Sequence, residues 1–306
     1  MRSFVRIGSR ESILAVRQAE IIRERILAYD PEISVEIVTM KTTGDKIMDK
    51  SLEKIGGKGL FVKELDRALL DGRIDIAVHS LKDVPMEVNP DLPLLAYSRR
   101  EDPRDVLILR RGLEKLPENA VVGTSSRRRA LQMSKLFPGC TFRGIRGNVH
   151  TRMRKLEEEG YDATLLAAAG LKRLGMEHVI GRYFSTEEMI PAAGQGILAV
   201  QGRRGETFGW IPALDDPAGR AAACAERQFI RTCGGGCTSP SAAYAEVSGG
   251  ELRIRGLYYD ENSGEYREGE LCADISRAEQ AGEELARRLM EDQAAGGKYD
   301  RERAEM

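Results

Sequence analysis

Glycines at positions 234, 235 and 236 run directly into Cys237, in a chain of 306 residues with only five cysteines. The stretch RTCGGGCTSPSAAYAE clears every side chain from the approach to one thiol, which raises the question of what needs the room. Cys140, Cys224, Cys233, Cys237 and Cys272 are odd in number and scattered, so a disulfide framework is not expected. Cys233 and Cys237 stand four apart with no second ligand pair nearby, and His79, His150 and His178 are remote in sequence, so no metal site is expected either. Cys224, in the small-residue run GRAAACAERQFI, reads as a packed helical residue.

Asp83 is the second chemical candidate. It lies in HSLKDVP beside Lys82, at the end of an apolar strand-like run, and Pro85 is expected to stop any helix from forming through it. A carboxylate at a strand end can face a ligand crevice and stabilise a developing cation, although the same position suits an ordinary turn aspartate. One aspartate cannot supply the paired carboxylates of glycoside hydrolysis, and no Ser-His-Asp order is present.

The third candidate is a set of cations. Arg127, Arg128, Arg129, Lys135, Arg143, Arg146, Arg152, Arg154, Lys155, Lys172 and Arg173 face only Glu157, Glu158, Glu159 and Asp162 in the same stretch. GTSSRRR and RGNVHTR both follow apolar strand-like runs and open helices, where backbone N–H groups, hydroxyls and the helix dipole favour anions. Arginine forks match carboxylate or phosphate oxygens in pairs. Nucleic acid would call for interleaved aromatics, yet Phe137, Phe142 and Tyr161 are sparse and sit at core-like positions, so a small polyanionic ligand fits better. EKIGGKGLFVKEL has neither P-loop spacing nor a dinucleotide fingerprint.

These residues need elements to position them. The chain carries 47 basic and 48 acidic residues with 42% hydrophobic content, an ordinary globular balance, and no apolar run approaches a membrane span. With no signal-peptide pattern at its N-terminus, it reads as cytoplasmic. FVRIGS, ISVEIVTM and IDIAVHS read as strands, ESILAVRQAEIIRERILAY and LFVKELDRALLDG as helices: βαβα order, hence an α/β domain. VLIL, AVVGTSS, CTFRGIRG and ATLLAAAG are strand-like and begin a second α/β domain, after which GQGILAVQGR reads as a strand returning to the first. From about Pro217 the order becomes helix, three strands, helix. The expected division is 1–98 with 194–215, then 99–193 with the basic cleft face, then a small α+β unit over 216–306 whose tail from about 293 is disordered.

Taken in order, IGSRESILAVRQAE, GGKGLFVKELDRALLDGRIDIAVHSLKDVP, REDPRDVLI, VGTSSRRRALQ, IRGNVHTRMRKLEEEGYDATLLAAAGLKRLG, PAAGQGILAVQ and GGGCTSPSAAYAE resemble the porphobilinogen deaminase (hydroxymethylbilane synthase) family over nearly the whole chain. The resemblance implies two α/β domains like those of type II periplasmic binding proteins with a cleft between them, plus the small third domain. It implies a transferase of tetrapyrrole (heme) biosynthesis: four porphobilinogen molecules condense, with loss of ammonia, onto a dipyrromethane cofactor held by a thioether, and hydrolysis releases hydroxymethylbilane. It implies that Cys237 carries that cofactor, the glycines giving a bulky two-ring group its turn and close approach. Cys233 departs from the aliphatic residue expected before the glycines and is read as packing.

By the same resemblance Asp83 is the catalytic carboxylate. Lys82, Ser80, Thr124, Ser125, Ser126, Arg128, Arg129 and Arg146 hold the cofactor, and Arg10, Arg152, Arg173 and Gln195 the substrate. Lys54, Lys58 and Phe61 belong to an active-site loop. Arg127 stands where an apolar residue is common and is expected to point outward as surface charge. The implied partners are porphobilinogen and, for product transfer, uroporphyrinogen-III synthase; the implied state is a monomer, with neither nucleic acid nor membrane involved. A binding protein that keeps the anion cleft without chemistry is the alternative, disfavoured by the joint presence of Asp83 and Cys237.

Overall fold

The computed structural model describes residues 4–42, 62–236, 239–291 and 297–298. Its first sheet is built from β1 (Phe4–Arg10), β2 (Ser34–Met40), β3 (Ile76–Ser80), β4 (Leu94–Tyr97) and β10 (Leu198–Gly202), in the order β2-β1-β3-β10-β4. The first three run parallel, and β10 runs antiparallel between β3 and β4. Being central and parallel, β3 has to be apolar on both faces, and Ile76, Ala77 and Val78 are all buried. Helix α1 (Ile13–Tyr29) starts where the Ser12 hydroxyl accepts the Ala15 N–H, and packs Ala19, Ile22 and Ile26 onto the sheet at helical spacing. Helix α2 (Lys63–Leu70) covers the other face with Leu65, Ala68 and Leu69.

The second sheet repeats the scheme. It comprises β5 (Asp105–Leu109), β6 (Val121–Gly123), β7 (Thr141–Arg143), β8 (Ala163–Ala167) and β9 (Arg182–Tyr183), ordered β7-β6-β8-β5-β9. Strands β6, β7 and β8 are parallel; β5 is antiparallel to both β8 and β9. Helices α3 (Arg127–Leu136), α4 (Val149–Glu158) and α5 (Ala168–Arg173) follow β6, β7 and β8. The chain therefore crosses between lobes twice, and each crossing delivers an antiparallel strand to the same place in its sheet.

Helix α6 (Ile211–Leu214) leads to α7 (Pro217–Thr232), which pairs with α8 (Ala278–Glu291) on one face of an antiparallel sheet of β11 (Ala242–Ser248), β12 (Glu251–Tyr259) and β13 (Glu265–Asp274). Ala225, Phe229, Ile254, Leu285 and Ala286 form its core. Of the tail expected to be disordered, Gly297 and Lys298 form a two-residue strand β14 against β13, and the remainder from 293 lies outside the described residues apart from these two.

Three local expectations need correction. ATLLAAAG is a strand only as far as Ala167, and Ala168 opens α5; a short apolar run cannot by itself separate strand from helix, and alanine favours the latter. AVVGTSS is a strand over Val121–Gly123 alone, since Ser126 caps α3. A single 3₁₀ turn, Leu81–Asp83, does form through Asp83 despite Pro85, because its i to i+3 bond is donated by the Val84 N–H and needs nothing from residue 85.

Candidate active site

The described residues that the resemblance assigns to cofactor or substrate, Gln195 apart, lie at the carboxyl end of a parallel strand or in the loop and helix that follow it. Arg10 ends β1; Ser80 ends β3 and is followed by Lys82 and Asp83; Thr124, Ser125, Ser126, Arg128 and Arg129 follow β6; Arg146 and Arg152 follow β7; Arg173 follows β8. Strand carboxyl ends in such sheets open onto a crevice, because the connecting loops diverge there. Gln195 belongs to the returning crossover.

The Asp83 turn is tied on both sides. Ser80 Oγ accepts from Gln18 Nε2 of α1 at 2.8 Å, and the Leu81 N–H donates to Ile197 O at 3.0 Å. Gly194 sits at φ +76°, and a Cβ there would stand 2.6 Å from Leu81 Cγ, so only glycine lets the returning crossover pass this close to the turn. Lys82 and Asp83 are half-buried, and Lys82 Nζ donates to Gln195 Oε1 at 3.3 Å.

Gln195 passes the connection to a carboxylate that sequence reasoning gave no role. Asp105, the first residue of β5, is fully buried; its Oδ2 accepts from Arg128 at 2.7 Å, and its Oδ1 accepts from Arg129 Nε at 3.0 Å and Arg129 Nη2 at 2.8 Å, and from Gln195 Nε2 at 3.1 Å. Arg128 also donates to Ile190 O and Arg129 to Leu165 O, leaving both arginines 5–6% exposed. Burial opposes ionisation of Asp105, but the Arg128 and Arg129 guanidinium groups outweigh it and hold the carboxyl well below the usual range. The one sequence signal was its motif, REDPRD, an acidic residue at the head of an apolar strand.

The remaining groups gather around this hub. Burial, then repulsion from Arg129, pushes the Lys82 ammonium down to about 8, against the pull of Asp83 and Asp105. Burial likewise lowers Arg152 to about 10, with Arg129 and Arg146 repelling it and Asp83 attracting it; its Nε donates to Gly147 O at 2.9 Å. Lys82, Arg128, Arg129, Arg146 and Arg152 thus share one region with two carboxylates, Asp83 and Asp105. Five cations against two carboxylates leave a positive surplus that can attract anions. Arg173, lowered to about 10 by burial, donates to Gly196 O at 2.6 Å, and the charges acting on it most are Glu101 and Arg25. Arg10 acts on the buried His79. Thr124 is buried and its hydroxyl accepts the Ser126 N–H; Ser126 caps α3 by accepting the Arg129 N–H; Ser125 is exposed and donates to Ile145 O.

Arg127 corrects its expectation. Rather than standing as unengaged surface charge, it makes a two-pronged ion pair with Glu261 in the β12–β13 turn, both bonds 2.8 Å, and lies over the Tyr259 ring, because Leu131 one turn on packs α3 against Leu257 and Tyr259 of the third domain.

Cys237, Lys54, Lys58 and Phe61 lie outside the described residues. What leads to Cys237 is described. Helix α7 caps at Cys233, then Gly234 takes φ +66°, with Gly234 N–H to Arg231 O and Gly235 N–H to Ile230 O, both 3.0 Å. This pair of bonds terminates the helix in the left-handed conformation that glycine alone adopts freely. A Cβ on Gly236 would meet nothing within 4 Å, so the third glycine faces open space. Burial pushes the Cys233 thiol up to about 12, and it packs against the third-domain core. Among the described residues no group of His, Cys, Asp and Glu could hold a metal ion, and no helix is long and apolar enough to cross a membrane.

Comparison with known proteins adds the following. A family profile described as porphobilinogen deaminase, dipyromethane cofactor binding domain, matches residues 5–208, and one described as porphobilinogen deaminase, C-terminal domain, matches 221–291. Curated proteins named porphobilinogen deaminase from Acetivibrio thermocellus and Ruminiclostridium josui are each 51% identical, covering 94% and 93% of this chain and 98% and 97% of their own. Among solved structures, the methionine binding protein MetQ aligns with TM-score 0.43 at 11% identity, over 69% of this chain and 88% of its own. The periplasmic aliphatic sulphonate binding protein SsuA from Escherichia coli aligns with TM-score 0.41 at 11% identity, over 76% and 71%.

Proposed function

The chain belongs to the porphobilinogen deaminase family, and from that premise we propose that it condenses porphobilinogen units, with loss of ammonia, onto a dipyrromethane carried by Cys237 and releases hydroxymethylbilane. The observation that carries the reading is the surplus of positive charge around Asp83 and Asp105. Lys82 and Arg152 are each disfavoured as cations where they stand, and a ligand bringing carboxylates would relieve both. The donor set therefore fits a carboxylate-bearing dipyrromethane. When bound, that group supplies the free pyrrole α-carbon that is extended.

The chain's own residues divide the rest. Asp83, half-buried at the end of β3, opposes the positive charge that develops on a porphobilinogen ring as ammonia leaves, and again as the new carbon-carbon bond forms. Arg128, Arg129 and Lys82, fixed through Asp105 and Gln195, form the deep end that holds the permanent group. Arg146, Arg152, Arg173 and Arg10 are less buried than Arg128 and Arg129 and receive the acetates and propionates of added rings. The test is the intact mass of the purified chain. It should exceed the sequence mass by one dipyrromethane, an excess that Cys237→Ser abolishes and Cys233→Ala keeps. An unmodified wild-type chain with full activity would overturn the proposal.

A further inference from the structure

We infer that Arg227 is a positioning residue for Asp83: it locks the backbone that follows the carboxylate onto the helix that runs into the Cys237 loop. Arg227 lies in α7 and is 6% exposed. Its Nη1 donates to Val84 O at 3.1 Å, and its Nη2 donates to Pro85 O at 2.5 Å and Met86 O at 3.1 Å. Three consecutive carbonyls, beginning one residue after Asp83, converge on one planar fork. Arg231, one turn on, adds a bond to Met86 O at 3.2 Å.

The same two pieces of chain are packed as well as bonded. Ala223, one turn before Arg227, shares a buried cluster with Leu81 and Val84, and Met86, like Cys233, packs onto the third-domain core. Asp83 is thus bracketed by residues fastened to α7. That helix ends at Cys233, and the glycines carry the chain on to Cys237. The carboxylate and the root of the cofactor loop are consequently held by one scaffold, joined through a guanidinium whose rigid donor geometry a lysine cannot reproduce. Misplacing a catalytic group by about 1 Å can cost on the order of a hundredfold in rate. Substrate carboxylates, by contrast, are assigned to Arg10, Arg146, Arg152 and Arg173, which stand on elements other than α7 and the turn it holds, so substrate affinity should not depend on this contact.

The inference rests on the proposed roles of Asp83 and Cys237, and the experiment separates the two. Full-length Arg227→Lys and Arg227→Met are purified, their cofactor content is read by intact mass, and turnover is measured per loaded enzyme. Both variants are expected to load, with KM for porphobilinogen within about twofold of wild type and kcat lowered about ten- to a hundredfold, lysine giving no rescue. Loaded variants with kcat within about twofold of wild type, or full rescue by lysine, would overturn the positioning role. Should Arg227→Met fail to fold, Arg227→Lys decides; if neither folds, Arg227 serves stability and the inference fails. A wild-type chain that lacks the adduct and turnover would instead sink the proposed function.

Discussion

At the scale of single residues, the proposed mechanism gives two carboxylates of one charge cluster opposite work. Asp83 stands half-buried in the turn after β3, and its Asn variant keeps the shape without the charge; the variant should load cofactor, keep KM near wild type and lose about a hundredfold or more in kcat. Asp105 faces inward, and Asp105→Asn would leave Arg128 and Arg129 buried around a neutral amide. Removing one partner of such a group costs about 3–5 kcal/mol, so the urea midpoint should fall by that equivalent, and intact mass should show cofactor loading lost with it. A midpoint within experimental error of wild type would contradict the hub. Asp83, Lys82 and the arginines could be placed from sequence because they sit in contiguous, recognisable motifs. Asp105 also sits in a quoted motif, REDPRDVLI, but its role could not be read there: its partners lie 23, 24 and 90 residues away, and burial with reciprocal pairing leaves no trace in local spacing.

At the scale of elements, terminations matter more than interiors. Helix α7 is legible from its small apolar positions and from the glycines behind it, but which glycine bears the turn is settled only by φ. Gly234→Ala should destabilise the protein by about 1–2 kcal/mol, the cost of a Cβ in the left-handed region, whereas Gly236→Ala, with open space at its Cβ, should cost under about 0.5 kcal/mol; thermal or urea unfolding would rank them. Equal losses would show that the helix end is not what the first glycine serves. The 3₁₀ turn at Asp83 and the short α5 escaped sequence reasoning for a shared reason. One turn of helix has too few residues for a period to declare itself, so neighbouring strands and prolines dominate the reading.

At the scale of the whole molecule, acid stability should be set partly by a group outside the cleft chemistry. His79 of β3 is buried against Gln201 of β10, at 2.9 Å, and burial lowers its imidazolium to about 4 from an ordinary 6.5. The unfolded chain binds that proton more readily than the folded one between those values, so stability falls as pH drops from about 6.5 towards 4, by up to about 3 kcal/mol. Urea midpoints at pH 7 and 4.5 should separate accordingly, and His79→Asn should shrink the separation; an unchanged pH slope in that variant would exclude His79 as its source. The βαβα alternation made both α/β sheets readable, yet not their strand order, because hydrophobic runs say that a strand is buried without saying between which neighbours. That order carries a consequence for how the protein is made. Strand β10 completes the first sheet only after every strand of the second has been synthesised, while the second needs nothing beyond β9. On the ribosome the lobe begun first must wait, one strand short, for the lobe begun later to close.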